Sequence, residues 1–288
     1  RHISFKGNVG YRQADGIYKK ALRMARQHKD IGLELQITTW QSQGELDKIN
    51  EKGILEKAYA AIELARSADG PASEAWAHYR CSYTLGDQGN YEEAARHAEM
   101  ALRIIEKVNY YVYLHNIILQ SLNLRTFKGE WEAARKYSDR GLELGIIKTV
   151  SRSVDHLCMV NMCMRSCIEL ETGNTEQGAD LLKRYVEIIG RLDPARTREK
   201  SAAACRVPVI ARVIDLPVGL DVAEAAAQSV LSNSRISLFD SACARIGLGL
   251  IAVQRGDEEA AGEQYEALLK LPLLWAHGPL GEPRKLLG

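Results

Sequence analysis

AWAHYRCSYTLGDQGNYEEAARHAEMALRIIEK, residues 75–107, decides the fold. Ala94, Ala98, Ala101 and Leu102 recur at three- and four-residue intervals, which puts them on one face of a helix. The residues before Asp87 have the same helical pattern. Between the two, Asp87-Gln88-Gly89-Asn90 carries turn chemistry. The stretch is a helical hairpin. One such hairpin cannot bury its apolar face alone, so it predicts neighbours of the same kind.

The neighbours are found by taking Gly89 as an anchor and looking 5, 9 and 12 residues on. Gly129 gives Ala134, Ser138 and Gly141, with Trp131 in the aromatic position that Tyr91 fills. Gly173 gives Gly178, Leu182 and Tyr185; Gly256 gives Ala261, Tyr265 and Leu268. The interval from Gly173 to Gly256 spans two units, and Val218 anchors the one between, with Ala223, Ala227 and Val230. Towards the start, Val9 gives Ala14, Tyr18 and Ala21, and Gly53 gives Ala58, Ile62 and Ala65; Gly44 is the alternative turn there, with a long helix to Ser67. The first helices fall at about 30–43, 73–86, 110–128, 152–172, 197–214 and 236–255. Ser73 with Glu74 reads as an N-cap after Asp69-Gly70-Pro71. Gly247 and Gly249 inside the last of these helices predict a close approach of two helices, as do Ser82 and Ser166. No β pattern competes.

A repeat of roughly 36 to 45 residues is a solenoid signature. The Gly89–Tyr91 turn followed by small residues at fixed offsets resembles the tetratricopeptide repeat (TPR). The resemblance implies an all-α, right-handed α-α superhelix of about six to seven helical hairpins over residues 1–271, with an irregular tail at 272–288. It also implies a concave groove lined by the first helix of each hairpin, and a non-catalytic role in binding a protein or peptide. The last third of the chain, from Gly219 to Leu271, resembles more particularly the C-terminal helical-repeat regions of bacterial signalling ATPases, which carry cyclase or LuxR-type DNA-binding domains. That implies an interaction or sensor module within a larger signal-transduction regulator. The alternative it leaves open is a small-molecule (inducer) sensing domain.

Composition narrows the partners. The formal net charge of the 288 residues is +1, from 38 basic and 37 acidic side chains, so no basic surplus points to nucleic acid. No apolar run is long enough to span a membrane, and no signal segment opens the chain. The first residue is Arg, and the expected source is a fragment of a longer cytoplasmic chain. The 6 cysteines sit within helical patterns and read as reduced thiols. The proline-bearing tail, with Leu273, Leu274 and Trp275, either caps the last hairpin or forms a dimer contact.

Chemistry is harder to find. Cys158, Met159, Met162, Cys163, Met164 and Cys167 crowd one helix with His156, and soft sulfur ligands suit Cu(I) or zinc. There is no Cys-x-x-Cys pair and no second half-site, so packing is the better reading. The 7 histidines are scattered, and neither a phosphate loop nor a Gly-x-Ser-x-Gly elbow occurs. No catalytic residue, metal ligand or cofactor is assigned.

The TPR resemblance places groove positions 13, 10 and 6 residues before each anchor. They hold Trp76, Tyr79 and Tyr83 in the Gly89 unit and Asn116, Leu119 and Asn123 in the Gly129 unit. Val160, Cys163 and Cys167 follow, then Cys205, Pro208 and Arg212. Trp76, Tyr79, Tyr83, Asn116, Asn123 and Arg212 are the candidate peptide-binding residues: aromatics supply contact area and amides satisfy an extended backbone. The competing reading packs the aromatics between helices. Chaperone-binding TPR domains use a Lys/Asn/Arg carboxylate clamp; here Asn123 matches but Leu119 stands at the Lys position, so a chaperone tail is rejected as the ligand.

Overall fold

The computed structural model describes residues 7–30, 33–35, 37–38, 51–108, 111–146, 152–213, 218–234, 236 and 238–270. Among these residues there is no strand. They fall into two compact units, residues 1–133 and 134–288.

The first unit contains α1 (Gly7–Gln27), α2 (Glu51–Ser67), α3 (Pro71–Asp87), α4 (Tyr91–Lys107), α5 (Tyr111–Phe127) and the start of α6 (Trp131–Ile146). The second holds the rest of α6, then α7 (Arg152–Glu171), α8 (Thr175–Gly190), α9 (Thr197–Val213), α10 (Leu220–Leu231), α11 (Leu238–Arg255) and α12 (Glu258–Leu269). Inside each unit a helix packs on its sequence neighbour and on the helix after that: α3 touches α4 and α5, and α9 touches α10 and α11. This pairing is what a stack of hairpins requires.

One turn recurs. At Gly89, Gly129, Gly173 and Gly256 the backbone is left-handed, with φ between 69° and 84°. The glycine N–H bonds three residues back and the next N–H bonds five back: Gly89 N to Gly86 O at 3.0 Å, Asn90 N to Leu85 O at 2.9 Å. This is a Schellman closure, which satisfies the last carbonyls of one helix and starts the next. Asp69 (φ 48°) and Lys29 (φ 55°) hold the same place without being glycine.

Several expectations need correction. Val9 and Gly53 are not turns; both lie inside helices, α1 and α2, because helical periodicity continues through them. Gly44, the alternative turn, and the tail at 272–288 lie outside the described residues. The α3 N-cap is Gly70 with Pro71 at the first helical position, not Ser73; proline's missing N–H has no cost there. The fifth turn does have its glycine: Gly219 (φ 77°) caps α10, one residue beyond Val218. The offsets from Val218 nevertheless hold, since Ala223, Ala227 and Val230 are fully buried.

The small residues mark where helices meet. A Cβ on Gly178 would lie 2.5 Å from Leu170 Cγ, so α8 fits against α7 only without one. Ser166 Oγ donates to Gly178 O at 2.7 Å in the same crossing. In α9, Pro208 has no N–H, so the Ala204 carbonyl four residues back loses its helical donor. α11 crosses at that carbonyl with Gly247, whose Cβ would stand 2.1 Å from Ala204 O. The approach read from Gly247 is therefore real, and Pro208 makes the exposed carbonyl that α11 covers.

Candidate protein-binding surface

Helices α3 and α5 lie side by side. Trp76 stacks on Tyr113 with centroids 4.6 Å apart. Gln120 Nε2 donates to Ser82 O at 3.3 Å, and a Cβ on Gly86 would meet Leu124 Cδ2 at 3.3 Å. These pairs are separated by 37 (113 − 76), 38 (120 − 82) and 38 (124 − 86) residues, so the helices run parallel in near-constant register. Trp76 also packs on Tyr79 at 4.7 Å, and Tyr79 on Tyr83 at 6.0 Å. Trp76, Tyr79, Tyr83, Tyr113, Asn116 and Asn123 are all half-buried.

Five of the six candidates thus occupy one pair of helices. Arg212, the sixth, is exposed on α9 in the second unit. Of the corresponding positions in the second unit, Val160, Cys163, Cys205 and Pro208 are buried, Cys167 is half-buried and Arg212 is exposed. The same offsets therefore fall mostly on buried residues in α7 and α9, and on half-buried ones in α3 and α5. Tyr113 and Arg80 were missed. Arg80 lies one residue from Tyr79 and Tyr113 three residues before Asn116, outside the three offsets sampled, although helical spacing from Trp76 and Asn116 points to both.

Arg80 is 2% exposed, with its guanidinium carbon 5.8 Å from the Tyr83 ring centroid. Its Nε and Nη2 meet no acceptor, nor does Thr84 Oγ1 meet a partner one turn on. Asn123 Oδ1 on α5 is likewise buried without a donor.

On the opposite side of α3, His78 Nδ1 faces His97 Nδ1 of α4 at 2.8 Å, one ring donating to the other. Both rings are buried. Each distal nitrogen has a carboxylate 3.8 Å away, Glu74 for His78 and Glu93 for His97. Burial, then the neighbouring His97 and Arg66, pulls His78 down to about 4. Burial also lowers His97, against the pull of Glu93.

Part of the sulfur-rich helix packs in the core. Met159, Cys163 and Met164 are buried, and Met159 and Cys163 join Leu182, Tyr185 and Val207 in the core of the second unit. Burial pushes the Cys163 thiol up to about 11, away from the thiolate a metal needs. Among the described residues no three His, Cys, Asp or Glu side chains converge on a metal position, and the side chain of His156 lies outside them. No described helix is long and apolar enough to cross a membrane.

No protein-family model matches the sequence, and no curated protein matches it. Solved structures do match. A tetratricopeptide repeat protein from Parabacteroides merdae superposes with a TM-score of 0.58 at 13% identity, covering 97% of this chain and 93% of that one. BtubC (BKLC) from P. vanneervenii superposes with a TM-score of 0.51 at 13% identity, over 75% of this chain and 89% of its own. At this identity the likeness defines the fold alone: the chain is an all-α, TPR-like helical-repeat solenoid.

Proposed function

We propose that this chain is a non-catalytic protein-binding scaffold, and that α3 and α5 hold an extended peptide segment of a partner protein. The observation that carries the reading is the half-buried aromatic row Trp76–Tyr79–Tyr83, joined by Tyr113 and flanked by the amides of Asn116 and Asn123. Rigid aromatics give contact area at low entropic cost, and amides complement a peptide backbone. A helical-repeat fold supplies the extended surface such binding uses. The repeat texture of the last third supports a place in a larger signal-transduction regulator, as its interaction module.

The test is capture of proteins from cell lysate on the immobilised chain, with a Trp76→Ala/Tyr83→Ala variant of unchanged helicity alongside. A partner retained by the parent and lost by the variant supports the reading. Identical retention by both makes the aromatic row packing and removes it.

A further inference from the structure

We propose that Arg80 is the specificity anchor of the α3–α5 strip and receives the side-chain carboxylate of an acidic peptide segment; this rests on the peptide-binding reading above. An arginine stays charged at any physiological pH. A buried charge is paired as a rule, and an unmatched buried donor calls for a ligand or water. Arg80 is 2% exposed, yet Nε and Nη2 have no acceptor. Those two nitrogens are the side-on edge of the guanidinium, whose parallel N–H groups match the two oxygens of one carboxylate. Tyr83, 5.8 Å from the guanidinium carbon, supports the cation through its π system. That contact leaves the in-plane donors for an acceptor.

Arg80 is also in the right place. It lies four residues after Trp76 and three before Tyr83, on the same face of α3. From Trp76 to Tyr83 the row spans about 10 Å at the rise of a helix, the length of about three residues of extended peptide. On α5, Asn123 Oδ1 has no donor and suits a peptide N–H. The aromatic and amide residues of the strip are neutral, so its charge is met by one carboxylate rather than by a doubly charged group. The occupant is a short extended segment with one Asp or Glu beside apolar residues. This differs from a multi-cation clamp, since a single guanidinium within an aromatic wall does the recognition.

A random decapeptide display library, panned against the whole chain, tests this with three variants: Arg80→Met, Arg80→Lys and Trp76→Ala. The expected parent selection carries Asp or Glu at a fixed register. Selected peptides should bind Arg80→Met about tenfold or more weakly, as loss of a charge-assisted bidentate pair implies, with Arg80→Lys in between. Without peptide, Arg80→Met should melt no lower than the parent, because the charge it removes is unpaired in the free protein. Peptides that lack acidic residues, or that bind Arg80→Met as well as the parent, overturn the Arg80 assignment while leaving peptide binding intact if Trp76→Ala abolishes it. A selection that Trp76→Ala does not weaken, or none at all, overturns the peptide reading itself. An Arg80→Met chain that unfolds, or melts far below the parent, makes Arg80 a structural cation and ends the proposal.

Discussion

His78 and His97 share one proton across a 2.8 Å gap, and that gap cannot hold two N–H groups. Unfolded, His78 takes up a proton near pH 6.5; folded, it resists until about pH 4. A group whose folded pKa is lowered leaves the unfolded chain with more bound protons between the two values. Stability from this site is therefore full above about pH 6.5 and falls as pH drops towards 4, by up to about 1.4 kcal/mol per pH unit for His78. His97 moves in the same direction. Urea unfolding at pH 7.5 and 5.0 should register the loss, and a His78→Asn/His97→Asn variant should show a flatter profile. Glu169 acts in a lower window. It is 1% exposed; burial alone would raise its pKa, but hydrogen bonds from Arg135, Asn174 and Arg165 outweigh that and hold it down to about 2. Its contribution is present above about pH 4.5 and lost only as pH falls towards 2. Glu169→Gln at pH 7 should cost about 3 kcal/mol by breaking the two-arginine network, read from the urea midpoint. Gly247→Ala tests the α9–α11 crossing: a Cβ 2.1 Å from a backbone oxygen forces the helices apart, at a cost of about 1–3 kcal/mol. An unchanged melting temperature would contradict that geometry.

At the scale of elements, the repeated Schellman turn carries the architecture. A glycine there adopts φ > 0 freely, and most other residues are strained. Gly89→Ala should destabilise the chain by about 1 kcal/mol, while Lys29→Gly, at φ 55°, should stabilise it by a similar amount. Thermal melts of both variants would check the opposite signs. These turns were the most legible part of the sequence, because the left-handed backbone writes glycine into it at Gly89, Gly129, Gly173 and Gly256. Where another residue tolerates the same backbone, at Asp69, the signal faded into an ordinary loop. Gly53 misled for the converse reason: a glycine within α2 looks like a turn glycine when only spacing is read. The aromatic strip was legible on α3 through Trp76, Tyr79 and Tyr83. Arg80 was not, since the absence of an acceptor is a three-dimensional fact. The buried state of Val160, Cys163 and Cys205 was also hidden, because small apolar residues suit a groove wall or a core equally well.

For the whole molecule, the two units differ in what their first helices offer. In the first, α3 and α5 present half-buried aromatics and amides beside a buried unpaired cation. In the second, Cys163 of α7 sits in a core with Leu182, Tyr185 and Val207, and Cys205 of α9 in another with Cys243, Ile246 and Leu250, while Arg212 is exposed. Binding is accordingly expected in the first unit, whereas the second contributes folded repeats. The most direct measurement is site-specific photocrosslinking in lysate. The probe p-benzoylphenylalanine replaces Tyr83 in one sample and the exposed Glu187 of α8 in another. The account predicts a discrete crosslinked partner from position 83 and none from 187. Crosslinks of the same proteins at equal yield from both positions, or from 187 alone, would contradict it.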